Sequence, residues 1–129
     1  RFHHAIVDRA SGRTIGYHYI NLLAYRRATL EVVIFDRQFW GKGVVIEVRK
    51  PLLLALYDQA GVRCFTSNVH SRNFASILNY KKLGFEHAGT IFSGGFDELR
   101  KEPADTLLMT LHDGKLEQKI QEWRHEITA

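Results

Sequence analysis

The fold is decided by one stretch of the sequence, Asp36-Arg37-Gln38-Phe39-Trp40-Gly41-Lys42-Gly43. The preceding segment, residues 28–35, is apolar and β-branched with one charge, Glu31, and it predicts a central strand. Apolar residues at helical spacing over residues 43–60 predict a long helix, with Gly61 at its C-cap. A strand that enters a helix through a Gly-x-Gly turn exposes backbone N–H groups at the positive end of the helix dipole. The stretch therefore predicts an anion-binding site.

The stretch does not match either of two common phosphate-binding motifs. The stretch is not a Walker loop, because no Gly-Lys-Ser/Thr follows. It is not a dinucleotide fingerprint either, because the third glycine would fall at Ile46. Pro51 lies inside the predicted helix and cannot donate to the carbonyl of Glu47, so we expect a kink or a break near it.

The rest of the chain predicts one sheet with flanking helices. Residues 4–8 and 14–20 form a predicted hairpin around a Ser-Gly turn. A strand over 63–69 and a helix from Ser71 or Asn73 to Leu83 follow. Two closing strands are predicted over 85–92 and 106–111, with residues 93–103 as their connector. The tail, 113–128, predicts an amphipathic helix whose apolar face needs a partner surface, either the core of the chain itself or another subunit. The second alternative predicts a homodimer.

Composition favours one globular domain. The 129 residues are 45% hydrophobic and 25% charged, with a net charge of +4 and no long basic block, so a nucleic-acid partner is not predicted. No apolar run approaches the roughly 20 residues that span a bilayer, so we expect no membrane contact and a cytoplasmic location. The single cysteine, Cys64, is interpreted as a small buried residue. The seven histidines lack metal-ligand spacing, and no metal is predicted.

Two motifs in the expected order resemble those of the GNAT N-acetyltransferases, and of their ribosomal-protein N-terminal (alanine) acetyltransferase branch in particular. Gln38-Phe39-Trp40-Gly41-Lys42-Gly43 resembles the family's Q/R-x-x-G-x-G/A loop, and the run from Asn73 to Phe85 resembles its N-x-x-(A/S)-I-x-x-Y-x-K-L-G-F helix. The resemblance implies an α+β (α/β) fold with a mixed, mostly antiparallel sheet. The family's fold normally begins with one more strand and one or two helices before the hairpin, and we expect this chain to lack these elements. We expect a GNAT domain over 1–112 and a separate helix over 113–129.

The resemblance also implies the substrate and the site. Acetyl-CoA would be the acyl donor, and Tyr80 would be the general acid that protonates the departing thiolate, although it could instead be a buried packing residue. Asn73 would bind the cofactor arm, and the strand at Val33, Ile34 and Phe35 would pair with the pantetheine. The remaining expected contacts are backbone amides that bind the pyrophosphate, at Gln38, Phe39, Gly41, Lys42, Gly43 and Val44.

A base must remove a proton from the amine that accepts the acetyl group. Glu31 is the candidate, because it is the only charge in an apolar strand and burial would raise its pKa. Relatives usually carry this glutamate about two residues earlier, where this chain has Thr29. Thr29 and Glu31 share one face of the strand, so the role could have moved to Glu31; the alternative is that Glu31 is a solvent-facing edge residue. His18 and His70 are alternatives.

The predicted function is acetyl transfer to a primary amine, with a protein N-terminus as the acceptor. The alternatives are a small amine, such as a polyamine or an aminoglycoside, or a non-catalytic acyl-CoA-binding module.

Overall fold

A computed structural model describes residues 2–128 as six strands and three helices around one sheet. Residue 1, the predicted start of the 1–112 domain, and residue 129, the predicted end of the 113–129 helix, lie outside the described residues. The sheet order is β1-β2-β3-β4-β6-β5, and every neighbouring pair is antiparallel except β3 and β4. The elements are β1 (Phe2–Val7), β2 (Thr14–Leu23), β3 (Arg27–Ile34), α1 (Val44–Ala60), β4 (Cys64–His70), α2 (Phe74–Lys82), β5 (Glu86–Asp97), β6 (Glu102–His112) and α3 (Asp113–Thr128), with a 3-10 turn over Arg37–Phe39.

The sheet opens in its middle, between the two parallel strands. β3 and β4 pair only at their first residues, from Arg27 with Cys64 to Thr29 with Thr66. Beyond that point residues 30–34 of β3 pair with β2, and residues 67–70 of β4 pair with β6. One side-chain bond crosses where the strands part, from Ser67 Oγ to the carbonyl of Leu30 at 2.9 Å. The strands therefore diverge and leave a gap that exposes one backbone edge of each.

The core lies between one face of this sheet and the helices. Strand alternation directs Ile20, Leu30 and Phe65 inward, and all three are essentially inaccessible to solvent. Each such side chain contributes about 1.5–3 kcal/mol relative to an exposed position. The apolar face of α3 joins the same core through Leu116, Ile120 and Trp123. The chain covers that face itself, so our reason for expecting a second copy there no longer applies.

The break that we expected as one outcome near Pro51 is absent, because α1 runs uninterrupted from Val44 to Ala60. A proline inside a helix costs about 3 kcal/mol through its missing N–H and its ring. Here the side chains on either side of it, Arg49 and Leu53, are both fully buried. Tertiary packing on both sides of Pro51 therefore outweighs the local preference for a break.

The closing strands are longer than predicted, since β5 and β6 extend through most of the supposed connector at 93–103. A register shift between Ile91 and Gly95 lets the strand absorb its glycines as a bulge. Arg72 joins the far ends of the hairpin through Asp97 at 2.6 Å and Glu102 at 2.9 Å. Glycines and charges that usually mark a loop here belong to a bulged hairpin held by ion pairs.

Candidate functional site

The turn that precedes α1 presents unused backbone donors. Gly41 and Gly43 have φ values of 72° and 73°, in the left-handed region that glycine adopts without a side-chain penalty. Within residues 2–128 the amides of Gly41, Lys42, Gly43 and Val44 have no hydrogen-bond acceptor. These donors lie at the N-terminus of a 17-residue helix, where the helix dipole adds positive potential. The arrangement suits a phosphate-bearing ligand.

Side chains brace this turn on the strand before it. Asp36 accepts from the Gln38 amide at 3.1 Å and from Arg13 at 2.8 Å. The Trp40 indole donates to the carbonyl of Ile34 at 2.7 Å, and so ties the turn to the end of β3. These bonds preset the turn without a ligand.

The same bonds correct one of our predictions. The amide of Gln38 is bound to the Asp36 side chain, and the amide of Phe39 donates to the Asp36 carbonyl at 3.1 Å. Neither N–H is free for a phosphate, because the 3-10 turn uses both. Phe39 still lines the adjacent cleft with its side chain.

The turn borders the first of two adjoining clefts. The loop cleft has a volume of about 590 Å³ and lies between the turn, α1 and α2, with Lys82 as a cation on its wall. The gap cleft, of about 250 Å³, lies between the diverging strands β3 and β4. Both are lined by Val32, Asn73 and Ser76, so they form one continuous groove. A ligand with an anionic group at the turn can extend a narrow arm into the sheet.

The predicted strand residues differ in what they offer this arm. Val33 lines the gap cleft and Ile34 lines the loop cleft. Strand alternation turns the backbone groups of Val33 toward Tyr17 of β2, so its predicted pairing with the pantetheine is not open to them. The Ile34 carbonyl already accepts from Trp40. The Phe35 amide donates to the carbonyl of Ile15 at 3.0 Å, so it is not available to a ligand.

Asn73 lies where the two clefts meet. Its Oδ1 accepts from the Ser76 amide at 3.2 Å, which makes it the N-cap of α2. The amide nitrogen of its side chain keeps two donors for a ligand. Asn73 thus combines a structural role with the predicted contact.

Tyr80 lies at the inner wall of the gap cleft and is only 2% exposed. Its hydroxyl donates to Ser67 Oγ at 2.6 Å and accepts from Arg49 Nη2 at 2.8 Å. The phenol is therefore both packed in the core and hydrogen-bonded toward the cleft, which combines the two interpretations of this residue. The chain Tyr80–Ser67–Leu30 carbonyl ends where the strands part.

Sequence reasoning missed Arg49 and Ser67. Both occupy inward positions in an apolar pattern: Arg49 follows Val45 by one helical turn, and Ser67 alternates with Phe65 and Val69. A polar residue at a position that the pattern reserves for the core was the available signal.

His18 is placed in the core and is not an accessible base. It is fully buried, and its Nε2 accepts from Arg49 Nε at 3.0 Å. Burial, together with the smaller effects of the charges of Arg49 and His4, lowers the pKa of His18 from 6.5 to about 3. The ring is therefore neutral near pH 7.

This burial predicts an acid-sensitive fold. As pH falls from about 6.5 toward about 3, the unfolded chain binds a proton at His18 that the folded chain does not. The free energy of unfolding should fall through this term by up to about 1.4 kcal/mol per pH unit, with no effect above that window. Urea unfolding at a series of pH values gives the slope of the free energy of unfolding against pH. This slope is compared between the wild type and His18→Gln, which keeps an acceptor for Arg49. Equal slopes in the two proteins would contradict the assignment.

Glu31 and His70 face the gap cleft from opposite strands. The burial that we expected for Glu31 is wrong, because its side chain is exposed on the sheet face away from the core. His70 Nδ1 accepts from the Arg72 amide at 3.1 Å, so Nε2 is the ring nitrogen that can contact other partners. Both remain within reach of a molecule in the gap cleft.

Across residues 2–128, no cluster of three or more His, Cys, Asp or Glu side chains is arranged to hold a metal ion. None of the helices in this part of the chain has both the length and the apolar character that a membrane span requires.

Comparison with known proteins agrees with this geometry. A family model described as an acetyltransferase (GNAT) domain matches residues 1–86. No curated protein matches the chain. Among solved structures, the ribosomal-protein-S5-alanine acetyltransferase from Vibrio fischeri has a TM-score of 0.77 at 16% identity, covering 88% of this chain and 62% of that one. The spermidine/spermine N-acetyltransferase from Vibrio cholerae has a TM-score of 0.77 at 18% identity, with 91% and 68% covered.

These similarities differ in what they establish. At such low identities the solved structures show a shared fold, and this chain spans about three fifths of the length of the first of them. The family model covers more than half of the chain and includes the turn before α1 and the run from Asn73 to Phe85. The chain belongs to the GNAT acetyltransferase family.

Proposed function

We propose that this chain transfers an acetyl group from acetyl-CoA to a primary amine, with a protein N-terminus as the acceptor. One observation carries the proposal. The unused amides at the N-terminus of α1 open into a groove that continues to the gap cleft, where the Tyr80 hydroxyl chain ends. An anion site joined to a buried proton donor is the arrangement that acyl transfer from a phosphate-bearing thioester requires.

The residues present fit the acyl donor. Acetyl-CoA supplies an acetyl group activated as a thioester, together with a diphosphate and a chain of amides. The amides of Gly41, Lys42, Gly43 and Val44 would hold the diphosphate, and Lys82 would add positive charge. The free edge of β3 at Val32, which lines both clefts, and the side-chain nitrogen of Asn73 would bind the amide-bearing arm.

Two residues would move protons. Tyr80 holds a proton on its hydroxyl, which it would give to the departing sulfur directly or through Ser67. Glu31, which lines the gap cleft from β3, would take a proton from the ammonium group of the acceptor. Most of the rate enhancement would come from holding the two reactants together in the groove.

A single amine suits this cleft better than a polyamine. Glu31 is the only acidic residue among those that line the gap cleft. A polycation would need several carboxylates to replace its water and counterions, whereas an N-terminal amine needs one. This charge distribution supports a peptide acceptor over the alternative of a polyamine.

Calorimetry with acetyl-CoA, followed by an acceptor comparison, tests the proposal. The 129-residue chain is expected to bind acetyl-CoA and to acetylate a peptide with a free N-terminal alanine, but not the same peptide with a blocked N-terminus. Faster acetylation of spermidine would favour a small-amine acceptor. Binding without any transfer would indicate a non-catalytic acyl-CoA-binding module.

Replacing Glu31 by Gln should lower kcat/KM for the amine by about tenfold near neutral pH, because the amide cannot accept the ammonium proton. The affinity for acetyl-CoA should stay within about twofold, since no part of this side chain is assigned to the diphosphate. Glu86→Gln, an exposed acid on β5, is the matched control. Equal rates for both variants would remove Glu31 as the base and leave His70 as the next candidate.

Location and assembly are also part of the proposal. The cytoplasm is supported by Cys64, a half-buried thiol in a chain without a second cysteine to pair with. A homodimer stays a prediction, with its surface to be identified by measuring the solution mass.

A further inference from the structure

Arg49 is a buried cation without an acidic partner. It extends from α1 into the core with no exposed surface. Its Nε donates to His18 and its Nη2 to Tyr80, both neutral groups, while its Nη1 has no partner within residues 2–128. A buried guanidinium that lacks a carboxylate costs stability, and a well-packed apolar side chain would often serve the fold better. Stability alone therefore does not account for an arginine here.

His18 fixes the orientation of this arginine. Because Arg49 Nε can only donate, His18 Nε2 must accept, and the ring proton lies on Nδ1, which has no partner in the described chain. The neutral ring receives the guanidinium without neutralising its charge. The cation is thereby held with Nη2 on the Tyr80 oxygen and its carbon 4.3 Å from the centre of the Tyr80 ring.

The geometry points to Arg49 as a positioning residue that aims the Tyr80 hydroxyl at Ser67 and supplies the opposite charge when Tyr80 gives up its proton. The inference rests on the proposed role of Tyr80 as the acid. In that step the thioester C–S bond breaks with its electron pair on sulfur, and the sulfur takes a proton from Ser67 Oγ to form the S–H bond of the thiol. Ser67 takes the hydroxyl proton of Tyr80, whose O–H bond breaks with the electron pair left on the Tyr80 oxygen. The guanidinium, 2.8 Å from that oxygen, then pairs with the negative charge.

Two further observations separate this role from substrate binding. Arg49 lines neither cleft, so it acts through Tyr80 and not on the substrates. Because Arg49 donates to one lone pair of the Tyr80 oxygen, the hydroxyl proton must point elsewhere, and Ser67 at 2.6 Å receives it. The arginine thus sets the direction of the proton as well as the charge beside it.

The test compares Arg49→Met and Arg49→Lys with Arg63→Met. Arg63 is a matched control, because it also lies over a tyrosine ring, that of Tyr57 at 3.7 Å. Arg49→Met should lower kcat by about tenfold while the affinity for acetyl-CoA changes by less than about twofold. Arg49→Lys, which keeps the charge, should recover part of the loss, and Arg63→Met should have no effect on kcat.

A double-mutant cycle and a spectroscopic measurement make the test specific. In a Tyr80→Phe background, Arg49→Met should cause little further loss, because both changes interrupt one pathway. The NMR signal of the Tyr80 Cζ carbon should move in Arg49→Met, while that of Tyr57 should not. This second measurement does not depend on turnover.

Three outcomes would overturn the inference: an unchanged Tyr80 Cζ signal in Arg49→Met, an unchanged kcat, or full additivity with Tyr80→Phe. If Arg49→Met does not fold, Arg49→Lys decides instead, since lysine cannot bridge His18 and Tyr80 together; an unchanged Cζ signal and kcat would then overturn it. If the wild type binds acetyl-CoA but transfers nothing, the proposed function fails. The Cζ comparison then still shows whether Arg49 holds Tyr80.

Discussion

Replacing Tyr80 by Phe is expected to lower kcat by a factor of about 10²–10⁴, the range over which positioned proton donors contribute to catalysis. The hydroxyl is the only group of Tyr80 that the substitution removes, and it is the donor at the start of the chain through Ser67. The affinity for acetyl-CoA should change by less than about twofold, because Tyr80 is not assigned to its phosphates. Steady-state kinetics with a peptide acceptor, beside calorimetry, measures both quantities.

The same substitution should cost stability. It leaves the buried Arg49 with one partner fewer, and removing a partner from a buried polar group costs about 1–3 kcal/mol in the free energy of unfolding. Tyr57→Phe is the control, since the Tyr57 hydroxyl bonds Glu117 at the surface and its loss should cost less stability than the loss of the Tyr80 hydroxyl. An unchanged kcat in a folded Tyr80→Phe protein would reduce Tyr80 to a packing residue.

Replacing Gly43 by Ala should lower the affinity for acetyl-CoA by about 10- to 100-fold. At a φ of 73° an alanine costs about 1–2 kcal/mol, and the turn can relieve this strain by rotating its free amides away from the ligand. Each hydrogen bond lost from a charged phosphate costs about 1.5–3 kcal/mol, which accounts for the expected loss. Calorimetric titration with acetyl-CoA measures it.

Gly61→Ala provides a control with the same backbone strain. Gly61 has a φ of 69° at the other end of α1 and, like Gly43, has no neighbouring atom within 4 Å of an added Cβ. Both variants should lose similar stability, but only Gly43→Ala should lose affinity. If the two variants bind acetyl-CoA equally well, the turn before α1 does not hold the diphosphate.

Most of the fold could be predicted from local patterns. The hairpin of β1 and β2, the β3–α1 junction with its glycines, and α2 with its cap at Asn73 follow from periodicity and turn chemistry, and the structure confirms them. Pro51 and the β5–β6 hairpin could not be predicted in this way. Both depend on contacts between distant segments, which override the local preferences of proline and glycine.

The candidate site also combines features that local sequence predicts with features that it does not predict. The exposed turn at Gly41 and Gly43 is a local feature, and its motif is visible in the sequence. The sequence does not show which amides of the turn are free. The bonds that occupy the amides of Gln38 and Phe39 arise from a 3-10 turn that the motif does not specify. The pairing of Arg49 with Tyr80 joins residues 31 positions apart, and no spacing rule connects them.

The diverging strands also affect how long the protein survives. Unpaired strand edges usually lower local stability, and here two of them lie inside the sheet, starting where Thr29 and Thr66 separate. A bound molecule that bridges them stabilises the native state by about 2.7 kcal/mol at a concentration one hundred times its Kd. Under the proposed function this molecule is acetyl-CoA, so proteolysis of the chain is expected to slow when acetyl-CoA is added.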